Sequence, residues 1–269
     1  MKFVVLTDMS ENSRPLLQFA HKTAANVKAT LLVVHQSTLP VPAMGDSESL
    51  QSIKNENKNR SLGALMEYVA DTVNIDTPIE YKVTTGNLQA FIYSMEKSTD
   101  FDLVFVGVKH KGLVEKMLVG NTVTKLANEI SKIIVAIPEG KAAPDVSTLY
   151  VAVKKEYELN EEALHKCINA FRNSTTRVHL FSMLPPSEDE TPTTVYLGKI
   201  ISGLPAGVAA GYELQKTETP HKHIKEFMRG NTDGILVIQK GPRTFADIFR
   251  KYFVNDLVDD TQLPVIILP

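Results

Sequence analysis

Short apolar runs recur along this chain and alternate with segments of helical periodicity. The runs are continuous and rich in β-branched residues, which is typical of strands that helices cover on both faces. The strongest lie at residues 3–6, 31–34, 103–106, 133–137, 150–153, 178–181, 235–238 and 265–268, and weaker, alternating ones at 79–83 and 212–215. Strands that alternate with helices predict right-handed crossovers and a parallel sheet.

Helical patterns fill most of the intervals between these strands. Apolar residues repeat at helical spacing from Leu16 to Val27, with Ser13 as the predicted N-cap and Pro15 in the first turn. Shorter helices are predicted around residues 62–73, 91–95, 164–171 and 224–228. Residues 37–60 and 184–199 contain many Ser, Thr, Pro and acidic residues, and we expect loops there.

The second half of the chain repeats the first. Residues 102–106 align with 234–238, and 133–137 with 264–268, at offsets of about 131 to 132 residues. The opening strands are offset by about 146 residues, so the second copy is shorter internally. Gly140 and Pro144 indicate a junction near residues 139–146. We therefore expect two tandem α/β domains, residues 1–140 and 147–269, each with a five-stranded parallel sheet flanked by helices.

Charge and cysteine content narrow the classes of function. The formal net charge of −2 gives no global electrostatic reason to bind nucleic acid or an anionic membrane. Cys167 is the single cysteine, which excludes an internal disulfide and predicts a buried thiol in a reducing compartment. The sequence has neither a signal-peptide pattern nor an apolar stretch of membrane-spanning length, so we expect a cytoplasmic protein.

The residues that end the predicted strands of the first half form a recognisable pattern. The first strand ends in Thr7 and Asp8, the second in Gln36 and the fourth in Gly107, while Gly86 precedes the third helix. In these positions the first half resembles the universal stress protein family. The resemblance implies two domains with the fold called adenine nucleotide alpha hydrolase-like.

The nucleotide signature of that family is a glycine, two residues, a glycine, nine residues, a glycine, and then serine or threonine. Here Gly107 and Gly120 have the outer spacing, His110 replaces the middle glycine, and Asn121 replaces the serine. The resemblance implies that Asp8 and the Gln36 backbone line the adenosine end, with the glycines at the phosphate end. The candidate nucleotide-binding residues are Thr7, Asp8, Gln36, Gly107, Lys109, His110, Gly120, Asn121 and Thr122.

Physical chemistry favours an anion at this loop but leaves a plainer interpretation open. Ligands of parallel sheets bind beyond the carboxyl ends of the strands, and a helix N-terminus such as the one at Thr122 attracts anions. Equally, Gly107 fits a strand-to-loop turn, and Asn121 fits a helix N-cap. The ring of His110 would either block phosphates or donate a hydrogen bond to them.

The second half lacks this pattern. Lys154 corresponds to Asp8, Gln239 corresponds to Gly107, and Arg250 and Lys251 lie near the position of the outer glycine. We expect no nucleotide site there. An apolar stripe from Phe245 to Leu257 predicts a helix that either packs on its own sheet or forms a partner-binding face.

The leading functional hypothesis is a stress-response binding or regulatory protein that binds ATP or AMP, with Mg²⁺ in the case of ATP. The resemblance also implies an internal pseudo-dimer in which residues 133–137 pair with 265–268. Further homodimerisation and unidentified protein partners stay open.

Two alternatives remain. One is a scaffold without a nucleotide that binds partners through residues 37–60 and 184–199. The other is a slow ATP hydrolase, although synthetases of related layout need a glycine-rich loop after the first strand and residues 8–13 contain no glycine. No P-loop, dinucleotide or hydrolase-elbow motif is present, and the scattered histidines predict no metal site.

Overall fold

The computed structural model describes residues 1–38, 46–74, 77–98, 100–108, 122–140, 146–240 and 264–269. The first half contains β1 (Lys2–Thr7), α1 (Arg14–Val27), β2 (Thr30–Gln36), α2 (Ser47–Thr72), β3 (Ile79–Thr84), α3 (Leu88–Ser98), β4 (Leu103–Val108), α4 (Thr122–Glu129) and β5 (Ile133–Pro138). The second contains β6 (Thr148–Ala152), α5 (Glu161–Phe171), β7 (Arg177–Leu184), α6 (Thr191–Gly203), β8 (Ala209–Lys216), α7 (Pro220–Gly230), β9 (Gly234–Gln239) and β10 (Val265–Leu268). Each predicted strand is present.

The strands form one ten-stranded sheet in the order β3-β2-β1-β4-β5-β10-β9-β6-β7-β8. Neighbouring strands are parallel within each half, and the two halves meet where β5 and β10 pair antiparallel. In that pair Val265 lies opposite Ala136 and Ile267 opposite Ile134. The α/β fold class is therefore confirmed, and the expected pairing of the last strands is observed. The limits of the two domains stay a prediction.

The pairing register gives the same equivalences between the halves as the sequence alignment does. Phe3 lies beside Leu103 in the first half, and Leu149 lies beside Ile235 in the second. If residues are counted forward along each strand from these positions, Asp8 is equivalent to Lys154 and Gly107 is equivalent to Gln239. The equivalence of these positions in the two halves therefore rests on sheet geometry as well as on sequence.

Apolar side chains cover both faces of the sheet, as the continuous strand runs predicted. On one face α1 and α5 pack together over the strands, and Phe19 stacks on Phe171 across the two halves with ring centroids 6.1 Å apart. The opposite face is covered by apolar residues of α3, α4 and α7. Because both halves contribute to each layer, the core continues across the β5–β10 pair.

The predicted loops at residues 37–60 and 184–199 are wrong over much of their length, because α2 begins at Ser47 and α6 at Thr191. Acidic residues that precede the two helices accept hydrogen bonds from their first turns. Asp46 accepts a hydrogen bond from the Ser49 amide at 2.8 Å, and Asp189 accepts one from the Thr191 amide at 3.0 Å. Polar, Ser- and Thr-rich sequence is as common at helix N-termini as in loops, so composition alone misassigned it.

Within the described residues, none of the helices has the length and apolarity needed to cross a bilayer.

Cys167 is buried in α5, as predicted, and burial raises the pKa of its thiol to about 12. In the unfolded chain a thiol ionises near pH 8.5, at about its model-peptide value. The contribution of the buried thiol to stability is therefore complete below that pH and falls as the pH rises toward about 12.

We expect Cys167 in the folded protein to resist an aromatic disulfide reagent at about pH 8 and to react fully once urea unfolds the chain. The release of the coloured thiolate measures both reactions. A Ser52→Cys variant, exposed on α2, serves as the control and should add one rapidly reacting thiol. Rapid labelling of the wild-type protein under native conditions would contradict the buried position.

Candidate functional site

The sheet of the first half has a topological switch point between β1 and β4. From β1 the chain proceeds outward to β2 and β3, and it then crosses to β4 and β5 on the other side. Crevices at such a point, beyond the carboxyl ends of the strands, are where open α/β sheets bind ligands. Thr7 and Asp8 end β1, and Gly107 lies near the end of β4, so these predicted site residues flank the crevice.

Hydrogen bonds from side chains to the backbone fix the loop that follows β1. Thr7 Oγ1 accepts from the Met9 amide at 3.0 Å, and Asp8 Oδ1 accepts from the Ser10 amide at 3.0 Å. Met9 has a left-handed conformation with φ of 60°, which turns the chain sharply after the strand. Asp8 is exposed at the edge of the sheet. The loop thus presents a carboxylate at the crevice on a defined backbone.

A buried hydroxyl network anchors this loop to α2. Ser13 Oγ lies 2.9 Å from Thr7 Oγ1 and 2.9 Å from the Tyr68 hydroxyl, and it donates to the Ser10 carbonyl. Tyr68 also donates to the Ser10 carbonyl at 3.1 Å. Ser13 holds the predicted N-cap position of α1, but its side chain makes no capping hydrogen bond. The network could not be predicted from the sequence, because Ser13 and Tyr68 are 55 residues apart in the chain.

The ends of β2 and β3 lie on the outer side of β1, away from β4. Gln36 donates from Nε2 to the Gly86 carbonyl at 2.8 Å, and the Gly86 amide donates to Thr84 Oγ1 at 3.2 Å. His35 is buried and hydrogen-bonds the Thr7 carbonyl at 3.0 Å, a structural contact between β2 and β1. These contacts hold Gln36 and Gly86 beside the end of β1.

Gly107 is covered by a side chain from the neighbouring strand end. A Cβ atom placed on Gly107 would lie 2.8 Å from Oε1 and 3.0 Å from Cγ of Glu139. The absence of a Cβ at residue 107 is therefore what lets the Glu139 side chain lie against the strand. Glu139 was not among the predicted site residues, since it follows β5 and meets Gly107 only through the pairing of β4 with β5.

The remaining predicted site residues belong to the segment between β4 and the start of α4, of which the structure describes only Thr122. Thr122 is the first residue of α4 and is half-buried. Because α4 connects two parallel strands, it runs against them, and its N-terminus lies at the carboxyl edge of the sheet. Lys109, His110, Gly120 and Asn121 lie outside the described residues, as do Arg250, Lys251 and the apolar stripe of the second half.

Side chains bridge the equivalent crevice of the second half, between β6 and β9. Gln239 donates from Nε2 to the Glu158 carbonyl at 2.6 Å, and its Oε1 accepts from the Asn160 amide. Asn160 Nδ2 in turn donates to the Pro269 carbonyl at 3.3 Å. Lys154, at the position of Asp8, lies 3.8 Å from the Glu156 carboxylate. The residue that replaces Gly107 therefore ties the loop after β6 to the end of β9.

In the described ranges, no three His, Cys, Asp or Glu side chains stand close enough together to hold a metal ion.

The sequence profile of the universal stress protein family matches residues 1–138. The chain belongs to that family. The match begins with β1 and ends with β5, so it covers the strands that flank the first-half crevice. No curated protein matches the chain in sequence.

Solved structures resemble this universal stress protein over nearly its whole length. A universal stress protein from Archaeoglobus fulgidus has a TM-score of 0.66 at 13% identity, covering 99% of this chain and 95% of its own. A functionally unknown protein from Pseudomonas aeruginosa has a TM-score of 0.58 at 12% identity, covering 99% and 92%. The cytoplasmic domain of a prokaryotic cation chloride cotransporter has a TM-score of 0.55 at 9% identity, covering 99% and 94%. At these identities the likeness concerns the fold alone.

Proposed function

We propose that this universal stress protein is a stress-response binding protein of the cytoplasm that binds ATP or AMP in its first half. The observation that carries the proposal is the switch-point crevice between β1 and β4, flanked by Asp8 and Gly107. A glycine at a strand end lets backbone N–H groups approach phosphate oxygens. The N-terminus of α4 lies at the same edge and adds partial positive charge.

We propose that different residues contact the adenosine end and the phosphate end of the ligand. Asp8 and the backbone of Gln36 would contact the adenosine part, and Gly107 and Thr122 would face the phosphates. Lys109, His110, Gly120 and Asn121 are proposed to complete the phosphate end. A Mg²⁺ ion would accompany ATP through its phosphates, as is usual for this metal.

We further propose that residues 1–140 and 147–269 are two domains of common origin, of which only the first binds a nucleotide. The support for this asymmetry is the Gln239 side chain, whose amide group is engaged on both sides by the loop after β6. A ligand in that crevice would have to break these hydrogen bonds. The second half would then serve as the structural partner of the first through β5 and β10.

Titration calorimetry with ATP and AMP is expected to give a single binding event per chain. Replacing Asp8 with alanine should weaken binding by about tenfold to a hundredfold, because a hydrogen bond to a charged group contributes about 1.5–3 kcal/mol. The Asp8 side chain is exposed, so little stability should be lost.

The matched control for this titration is Lys154→Ala, which changes the equivalent position of the second half and should leave the affinity unchanged. If millimolar ATP and AMP produced neither binding heat nor a rise in melting temperature, nucleotide binding would be refuted. Two binding events per chain, or an equal loss from both variants, would refute the assignment to the first half.

A scaffold without a nucleotide is the second candidate function. The observation that favours it is that both crevices hold a side chain, Glu139 in the first half and Gln239 in the second. Partners would then bind elsewhere, for example along the exposed first half of α2. A partner that binds only when α2 is intact, and binds equally well with and without nucleotide, would support this function.

A further inference from the structure

The turn after β5 is fixed to two other parts of the first-half crevice. The Glu139 amide donates to the Val108 carbonyl of β4 at 3.0 Å, and the Gly140 amide donates to the Asn12 carbonyl at 3.0 Å. Gly140 has a φ of 73°, a conformation that glycine adopts without strain. The turn therefore spans from the end of β4 to the loop after β1, and the backbone of Glu139 is held on the strand that borders Gly107.

From this fixed backbone the Glu139 side chain reaches over Gly107. In the pairing of β4 with β5, Ile137 lies opposite Gly107, and Glu139 is the first residue after the end of β5. Its Oε1 lies 2.8 Å and its Cδ 3.4 Å from the place that a Cβ of Gly107 would occupy. The carboxylate thus lies on the bare backbone at which a phosphate would approach.

A phosphate group and the Glu139 carboxylate cannot share this place. They would overlap in space, and two negative charges a few ångströms apart repel strongly where solvent is partly excluded. Glu139 is half-buried, so the repulsion is only partly screened. The backbone hydrogen bonds on both sides of the turn leave rotation of the side chain as the way to clear the crevice.

We propose that Glu139 is a specificity-determining residue that selects against the phosphates of an adenine nucleotide while leaving the adenosine end accessible. This inference rests on the proposed function, because it concerns the same crevice. It predicts that the carboxylate lowers the affinity for ligands in proportion to the negative charge that they bring to Gly107. The affinity for adenosine, which has no phosphate, should not depend on Glu139.

The test compares adenosine, AMP and ATP, without Mg²⁺, by calorimetry on the wild-type protein, on Glu139→Gln and on Glu139→Ala. Glutamine preserves the shape and removes the charge, whereas alanine removes both. We expect ATP to bind about tenfold or more tightly to both variants, AMP to gain less, and adenosine to change by less than about twofold. The control is Glu129→Gln, the same change of charge at an exposed position of α4, which should alter no affinity.

The outcomes separate this inference from the proposed function. Equal ATP affinity of the wild-type protein and Glu139→Gln, with binding observed, would overturn the role of Glu139 and leave the nucleotide site intact. Weaker ATP binding to Glu139→Gln would also overturn it, because the carboxylate would then be a favourable contact. If none of the three ligands binds any variant, the proposed function fails and the inference fails with it.

Discussion

Replacing Phe171 with alanine is expected to lower the free energy of unfolding by about 3–5 kcal/mol, the usual range for a buried phenylalanine. Phe171 is 2% exposed at the end of α5, and its ring stacks on Phe19 of α1 at an interplanar angle of 26°. Phe19 in turn meets Phe105 of β4 edge-on, with ring centroids 6.0 Å apart. The cavity left by alanine would therefore open between the two halves of the chain.

A double-mutant cycle with Phe19→Ala measures the contact between the halves directly. We expect a coupling energy of about 0.5–1.5 kcal/mol, as for other aromatic pairs, and a single unfolding transition for each variant. Urea unfolding followed by circular dichroism gives these values. The control is Tyr93→Ala, an aromatic residue of α3 that is 41% exposed, for which the change should stay within about 0.5 kcal/mol. Additive losses, or separate transitions for the two halves, would contradict a shared core.

The two halves share a core because each half, taken alone, would end in an exposed edge strand, β5 or β10. A strand at the edge of a sheet exposes unpaired backbone groups, and β5 and β10 are apolar on both faces. Their antiparallel pairing satisfies the backbone groups of both strands at once. The packing of α1 on α5 then covers the same junction from one face, so each half supplies what the other would lack alone.

The strands could be predicted from sequence because both of their faces are buried. Continuous β-branched runs have few other interpretations, and even the weaker run at residues 79–83 corresponds to β3. The start of α6 could not be predicted in the same way. Its first turn contains Pro192 and threonines, and its stabilising contact is a carboxylate that precedes the helix. Local composition does not distinguish such a helix start from a loop.

The candidate site was predictable only in part, for a related reason. The positions of Asp8, Gln36 and Gly107 follow from where strands end, which the sequence reveals. The contact of Glu139 with Gly107 depends on the register between β4 and β5. The hydrogen bond between Gln239 and Asn160 joins residues that are 79 positions apart in the chain. The residues that fill the two crevices are therefore known from tertiary structure alone.

Gly234, at the start of β9, has no space for a side chain. A Cβ at this position would lie 2.2 Å from the Thr148 carbonyl oxygen and 2.7 Å from the Tyr150 ring. Neither neighbour can move easily, because Thr148 pairs with Gly234 in the sheet and the Tyr150 hydroxyl donates to Asp233 at 2.7 Å. Burial, and after it this hydrogen bond, raises the pKa of Tyr150 to about 12. An added methyl group must therefore separate β6 from β9.

Gly234→Ala is expected to destabilise the protein by about 3 kcal/mol, at the upper end of the usual cost of overpacking. Gly63→Ala is the matched control, because a Cβ there would meet no atom of the described residues within 4 Å. Gly63 lies inside α2, so alanine should instead stabilise the protein by about 0.5–1 kcal/mol. Urea midpoints of both variants measure the two effects. A Gly234→Ala variant as stable as the wild-type protein would contradict the close approach of β6 to β9.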